Sequence, residues 1–369
     1  MISYLKTMQR VLDEGQFRPD RTGVGRLSIF GASETYDLAN NTVPMVTTRH
    51  IYRKPFLTEL FGMIGGHSKV EKLGKGFWGR WSPDKEFLKK LILDELEANG
   101  EKEKLSPEQL ANFEKIADVH PALGTIGPMY GALWRQWPIV NGICDFSWVT
   151  SMDDIASDRR AQLSQDFDRA LMLSNGNLKN TEEARNQFVG DAYVRSLDQL
   201  NKVFLSLKRN PFSSHHRVTA FNPALIGPHA DPRENVLEGY GALSPCHPLF
   251  QFYVREENGH RTLDCMFYMG SSDVCLGRPY NIAFYGLLTI LMAHCLDYKP
   301  GKLHFTSGDT HIYGNHIEKA KEQVKLTPLE NNTTVTIPSD KKDLFKLTAN
   351  DLVFSEYHHL DKIDYEANV

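Results

Sequence analysis

Cys246 lies in Pro245-Cys246-His247-Pro248, just ahead of the apolar run Leu249 to Val254. Proline fixes its own φ and has no N–H to give to a sheet, so two prolines around a thiol hold the chain stiff and open. A nucleophilic thiol needs that setting, whereas a cysteine that only fills a core needs neither proline. Downstream, Asn258-Gly259 between two apolar runs is a two-residue hairpin signal. The hairpin sets Val254 opposite Leu263 and Phe250 opposite Phe267, apolar against apolar. The same register sets Cys246 opposite Ser271, in Gly270-Ser271-Ser272-Asp273. A thiol, two hydroxyls and a carboxylate then share one end of a sheet. That set suits covalent catalysis on a polar ligand.

Two more clusters carry polar chemistry. Gly277-Arg278-Pro279-Tyr280-Asn281 precedes a long apolar segment. Asn281 reads either as the cap of that helix or as an amide that meets a ligand's donor and acceptor pair. Ser307 to His316 packs polar and aromatic groups into ten residues. In an extended strand, His311 and Tyr313 share a face and can aim two donors at a ligand, or can be satisfied loop groups. No metal site is expected, because His311 and His316 lack the i, i+4 spacing of a helical ligand pair and no second cluster supports them. Arg21-Thr22-Gly23-Val24-Gly25-Arg26 is a glycine-punctuated turn, either a hairpin bend or a phosphate loop.

The elements that position these groups follow from patterning. Residues 5–14 and 55–66 read as helices, the second carrying Glu59, and 27–30 as a strand. Residues 84–118 and 151–207 are charged and helix-prone, which places them at the surface or in insertions. Residues 223–241 read as a long loop rich in proline, glycine and charge. From 243 onward apolar strands and one buried helix dominate. The 369 residues are 41% hydrophobic and 24% charged, which is ordinary globular composition. A net charge of -4 argues against a broad nucleic-acid footprint. Five widely spaced cysteines without a C-x-x-C form neither a disulfide framework nor a zinc motif. The N-terminus lacks a signal-peptide pattern, and the longest apolar stretch is too short to span a bilayer. Cytoplasm is the expected compartment, of a host cell if the chain is phage-encoded.

In this order, the motifs resemble those of thymidylate synthases across nearly the whole chain. The matching segments are Arg21 to Gly25, the Glu59 helix, Trp78 and Trp81, Gly127-Pro128-Met129-Tyr130-Gly131, Pro245-Cys246-His247, Ser271 to Asp273, Gly277 to Asn281, and Gly308 to Tyr313. The resemblance implies one α+β domain over 1–369, a large twisted mixed sheet with flanking helices, and a homodimer formed through a sheet face. It implies a dUMP-like substrate and 5,10-methylenetetrahydrofolate as carbon donor. Cys246 would add to C6 of the pyrimidine and Asn281 would hold the N3–H and O4 edge. Glu59 would move protons through water, Tyr130 would help remove the C5 proton, and His247 would support the water network. His311 and Tyr313 would hold the sugar hydroxyl. Arg21 and Ser271 would bind phosphate. Asp273, Trp78, Trp81, Gly277 and Tyr280 would form the folate side. An amide at 281 suits uracil, where a carboxylic acid would suit cytosine.

The chain also departs from the family. Three of four expected phosphate arginines are replaced, by Gly270, Ser214 and His215, with His215 and Arg217 left as partial substitutes. The C-terminal segment carries Asp364 and Glu366 where the family has an apolar lid. A polar lid admits water to the electrophilic methylene intermediate. The expected product is therefore 5-hydroxymethyl-dUMP, with dTMP as the alternative. A non-catalytic homologue that binds a nucleotide or RNA is the remote alternative.

Overall fold

Asn258 and Gly259 take φ of 53° and 73°, the left-handed pair that a two-residue hairpin needs. The strands they join are β4 (Leu249–Glu257) and β5 (His260–Asp273), in a sheet that also contains β1 (Gln16–Arg18), β2 (Arg26–Asp37), β3 (Arg217–Thr219) and β6 (Lys299–Tyr313). The structure is a computed structural model that describes residues 2–20, 23–100, 102, 106–108, 115, 120–138, 157–173, 179–194 and 196–368. The strand order is β1-β2-β6-β5-β4-β3, with β5 and β6 parallel and the other neighbours antiparallel. This is the expected mixed sheet of an α+β fold.

The hairpin register is the expected one from Glu257 opposite His260 to Leu249 opposite Tyr268. Beyond Leu249 it shifts. The Gly270 N–H donates to the Cys246 carbonyl at 2.8 Å, one residue short of the expected Ser271 partner. Pro248 has no N–H and cannot carry the ladder on in register.

The parallel crossover from β5 to β6 is a 19-residue helix, α1 (Gly277–Cys295), buried along nearly its whole length. Tyr285 of α1 stacks on Phe267, and Phe267 on Phe305, at centroid distances of 4.2 and 4.6 Å. Side chains alternate across a strand, so the row Val218, Phe250, Phe267, Phe305, Glu34 faces this core. The adjacent row Arg217, Gln251, Met266, His304, Thr35 faces the other way. Tyr253 is 59% exposed and Met266 48%, so large apolar side chains stand uncovered among polar ones on this second face in the single chain.

Helices Ile2–Glu14 and Arg53–Ile64 lie close to their expected bounds. The second ends at Gly65-Gly66, where Gly66 has φ +73°. Residues 199–209 differ from their surface reading. Gln199–Arg209 is a helix capped by Asp198 that buries Leu200, Val203 and Leu207. Its charged half hid a three-residue apolar stripe at helical spacing. Residues 223–241 are also more ordered than a long loop. They contain a turn at Pro223–Leu225 and a helix at Pro232–Leu237, both with side-chain caps. Most of 101–119 and all of 139–156, within or beside the expected insertions, lie outside the described residues. Among the described residues no helix is long and apolar enough to cross a membrane.

Candidate active site

The Gly127–Gly131 turn is built by close approaches. A Cβ on Gly131 would sit 2.4 Å from the Met63 Cα, and one on Gly127 would sit 2.1 Å from the Tyr240 carbonyl. Between them Tyr130 is held at φ +42°, a position that strains any residue other than glycine. The strain aims the phenol inward. Its oxygen accepts the Cys246 N–H at 2.8 Å, and its ring stacks on His247 at 4.1 Å. One strained tyrosine thus holds both the backbone of Cys246 and the ring of His247.

Burial raises the Cys246 thiol above its ordinary value, the hydrogen bond with Tyr130 pulls it down, and the Asp273 charge raises it further. The thiol is therefore protonated in the free site, so a nucleophilic role would require loss of that proton. His247 gives no cation to help. Burial lowers its pKa to about 3, and its Nδ1 lies 2.7 Å from the Tyr285 hydroxyl. It is a neutral imidazole locked into a hydrogen-bond chain, which fits support of a water network and not proton abstraction from the thiol.

Glu59 projects from helix Arg53–Ile64 and accepts the Trp78 indole N–H at 2.9 Å. Burial raises its pKa to about 7, against a smaller lowering by Trp78. A carboxyl poised near neutrality can both give and take a proton. The native carboxyl stays protonated to higher pH than the unfolded one at 4.5, so its contribution to stability is whole below pH 4.5 and is lost as pH rises through 7. Glu59→Gln is expected to remove that loss and flatten the fall of Tm between pH 4.5 and 8. An unchanged profile would reject it. Trp78 packs 5.5 Å from Trp81 and 5.8 Å from Tyr130, so the aromatic wall joins the Glu59 side to the Tyr130 side.

On β6, His311 is 2% exposed and its Nε2 is buried without a hydrogen-bond partner. Its Nδ1 lies 3.3 Å from Asp309. Burial opposes ionisation of Asp309, but His311, Ser28 and Arg26 overcome it and hold the carboxyl at about 2. Asp309 thereby orients the ring and leaves Nε2 for a ligand. Tyr313 stands edge-on to His311 at 5.0 Å, and its hydroxyl feels the charges of Asp273 and Cys246. Asp273 lies opposite His311 and Ser271 opposite Asp309 in the β5·β6 ladder.

Asn281 is not a cap, contrary to the reading from residue type alone. The helix starts at Gly277, four residues earlier. No side chain caps the helix at Leu276, and Asp273 instead braces the turn ahead of it, accepting from the N–H groups of Cys275 and Leu276. Asn281 and Tyr280 are half-buried on the first turns. The structure therefore groups Cys246, Tyr130, His247, Glu59, Trp78 and Trp81 through direct contacts. Asp273, Ser271, His311 and Tyr313 come from adjoining strand ends. His215 and Arg217 do not join them within the chain. Arg217 donates to the Ser214 carbonyl on the exposed sheet face. Arg21 lies outside the described residues. Sequence reasoning missed Asp309 and Tyr285, which orient His311 and His247. Asp309 was legible two residues before His311 on the same face of an extended strand.

A strained tyrosine holding the backbone of a half-buried thiol, with a near-neutral carboxyl and aromatic walls, is an arrangement suited to covalent nucleophilic catalysis. The chain belongs to the thymidylate synthase family, whose sequence model, "Thymidylate synthase", matches residues 2–369. It is 29% identical over 374 residues to a protein of Saccharomyces cerevisiae described as "Thymidylate synthase", spanning 99% of this chain and 96% of that protein. The family is one of one-carbon transferases that take their carbon from methylenetetrahydrofolate.

Proposed function

We propose that this chain transfers the one-carbon unit of 5,10-methylenetetrahydrofolate to C5 of dUMP through a Cys246 adduct at C6. The observation that carries this is the Tyr130 hydroxyl on the Cys246 backbone, with Glu59 tuned to about pH 7 in the same enclosure. Attack of the thiolate on C6 makes C5 nucleophilic and puts charge on O4. Asn281 holds the N3–H and O4 edge, Glu59 moves protons to and from O4 through water, and Tyr130 helps remove the C5 proton. His311 and Tyr313 take the sugar hydroxyl. Asp273 binds the pterin, and Trp78, Trp81, Tyr280 and Gly277 surround it. Arg21 and Ser271 bind phosphate.

The last step decides the product. The charged side chains of the C-terminal segment, Asp364 and Glu366, point to solvent, whereas Tyr365 is buried and hydrogen-bonds Gln323. A tail that turns its ring inward and its acids outward supports exclusion of water, and Trp78 closes the Glu59 side. The reading best supported is therefore hydride transfer, with dTMP and dihydrofolate as products. The hydroxymethyl product keeps one observation in its favour, the acidic outer surface of the same tail. Incubation with dUMP and methylenetetrahydrofolate separates them. A stoichiometric absorbance rise from dihydrofolate is expected, with dTMP by mass spectrometry. Hydroxymethyl-dUMP without the rise would reverse the choice.

The exposed aromatic and aliphatic side chains of the sheet face support a homodimer. Phe30, Tyr253, Met266 and Tyr268 are 38% to 84% exposed on that sheet, large apolar side chains of the kind that often mark a protein contact. Arg217 lies on this face with His215 just before it, and in the proposed dimer these two side chains reach the partner's phosphate site. Met266→Glu sets a carboxylate into that surface. It is expected to sediment as a monomer and to lose most activity. A fully active dimeric variant would sink the proposal.

A further inference from the structure

Asp273, Cys275 and His316 each offer a ligand atom within 4.8 Å of the other two. No spacing in the sequence announces this. Asp273 ends β5, Cys275 follows in the turn, and His316 sits in the short helical turn Gly314–His316 after β6. The parallel pairing of β5 with β6 brings the two strand ends together.

We propose that these three side chains form a zinc site. The observation beyond clustering is His316 itself. It is 1% exposed, and its Nε2 lies 2.8 Å from the Glu366 carbonyl. A carbonyl only accepts, so Nε2 carries the hydrogen and Nδ1 carries the lone pair. Nδ1 is buried and has no hydrogen-bond partner. A histidine ligand is oriented in this way, with one ring nitrogen donating to a carbonyl and the other left for the metal. Asp273 is similarly prepared. Its Oδ1 takes the N–H groups of Cys275 and Leu276, which fixes the carboxylate and leaves Oδ2 for a further partner. Arg49 directs a donor to the Cys275 carbonyl at 2.6 Å, away from the carboxylate.

The donor set selects the ion. A thiolate and an imidazole favour zinc over calcium or magnesium, which want oxygen alone. Three protein ligands leave a fourth position open for water. Binding displaces the Cys275 thiol proton, one per ion, to give a thiolate. Thiolate and carboxylate together then neutralise the ion's two charges, so the buried complex carries no net charge. The segment carrying Glu366 lies over the site, with Tyr365 edge-on to His316 at 5.0 Å. Zinc there takes the Asp273 carboxylate. On the proposed folate reading of Asp273, zinc and folate then exclude each other.

Cobalt(II), which occupies zinc sites and absorbs light when bound to thiolate, tests the site without nucleotide or folate. Chelator-treated protein titrated with cobalt is expected to develop a thiolate-to-cobalt charge-transfer band. The band should saturate at one ion per chain, with one proton released. It should persist in Cys246→Ala, which removes the partly accessible thiol of the proposed active site, and disappear in Cys275→Ala. His316→Gln should weaken binding by about tenfold or more in a protein with unchanged circular dichroism. Absence of the band in the unmodified chain, or its survival in Cys275→Ala, overturns the site. Folate added to the cobalt protein should displace the ion. Failure to displace it would overturn the folate role of Asp273 and leave the metal site standing.

Discussion

Cys246→Ala is expected to lower turnover by about four orders of magnitude or more, the scale seen when a covalent nucleophile is removed. The physical reason is that, among the described residues, no other group is placed to make C5 of a pyrimidine nucleophilic. Cys265, Cys275 and Cys295 are free but buried, and burial pushes Cys265 and Cys295 up to about 12. Tyr130 is buried, and burial holds its phenol well above the usual tyrosine range. His247, at about 3, is a neutral ring already engaged by Tyr285. The fold should survive, because the Cys246 contacts to Gly270 and Tyr130 run through its backbone. The measurement is tritium release from dUMP labelled at C5, which reports C6 attack whichever product follows. Release from Cys246→Ala within about tenfold of the unmodified rate would sink the covalent mechanism. Cys275→Ala serves as the control, since it removes a thiol outside the proposed reacting set.

Much of this site was legible because its parts are local. The Asn258-Gly259 turn specifies its own backbone, and a two-residue loop leaves one register, so nine residue pairs followed from two residues. The shift at Cys246 was not legible in the same way, although Pro248 held the reason for it. Asn281 shows a different limit. Residue type favours a cap, but the helix starts four residues earlier, at Gly277, and that depends on where β5 and the turn braced by Asp273 end. The roles of Asn281, His311 and Tyr313 came from resemblance. The strain at Tyr130 could be seen only in three dimensions, because it arises from Met63 and Tyr240 crowding the flanking glycines. The Asp273, Cys275 and His316 cluster is further still from sequence. Its members meet through a parallel crossover of the chain.

Asp198→Ala is expected to destabilise the chain by about 3–5 kcal/mol, the scale for breaking one side of a buried ion pair. Arg135 and Asp198 have no exposed side-chain surface, and Arg135 Nε lies 2.9 Å from both carboxylate oxygens. The guanidinium also donates to the Ile64 carbonyl and lies over the Phe345 ring at 4.2 Å. Asp198 in turn caps helix Gln199–Arg209 by accepting the Asn201 N–H. Removing the carboxylate strands a buried cation and uncaps that helix in one step. The consequence reaches the site. Ile64 closes the helix that carries Glu59, and Arg135 closes the turn that begins at Tyr130. Loss of Asp198 therefore loosens both and should lower turnover without touching substrate. The paired change Arg135→Met with Asp198→Leu removes both charges and should recover much of the stability, because the cost lies in the unpaired charge. Denaturant unfolding of the three proteins checks this. A single variant as stable as the double one would show that the pair does not hold these elements together.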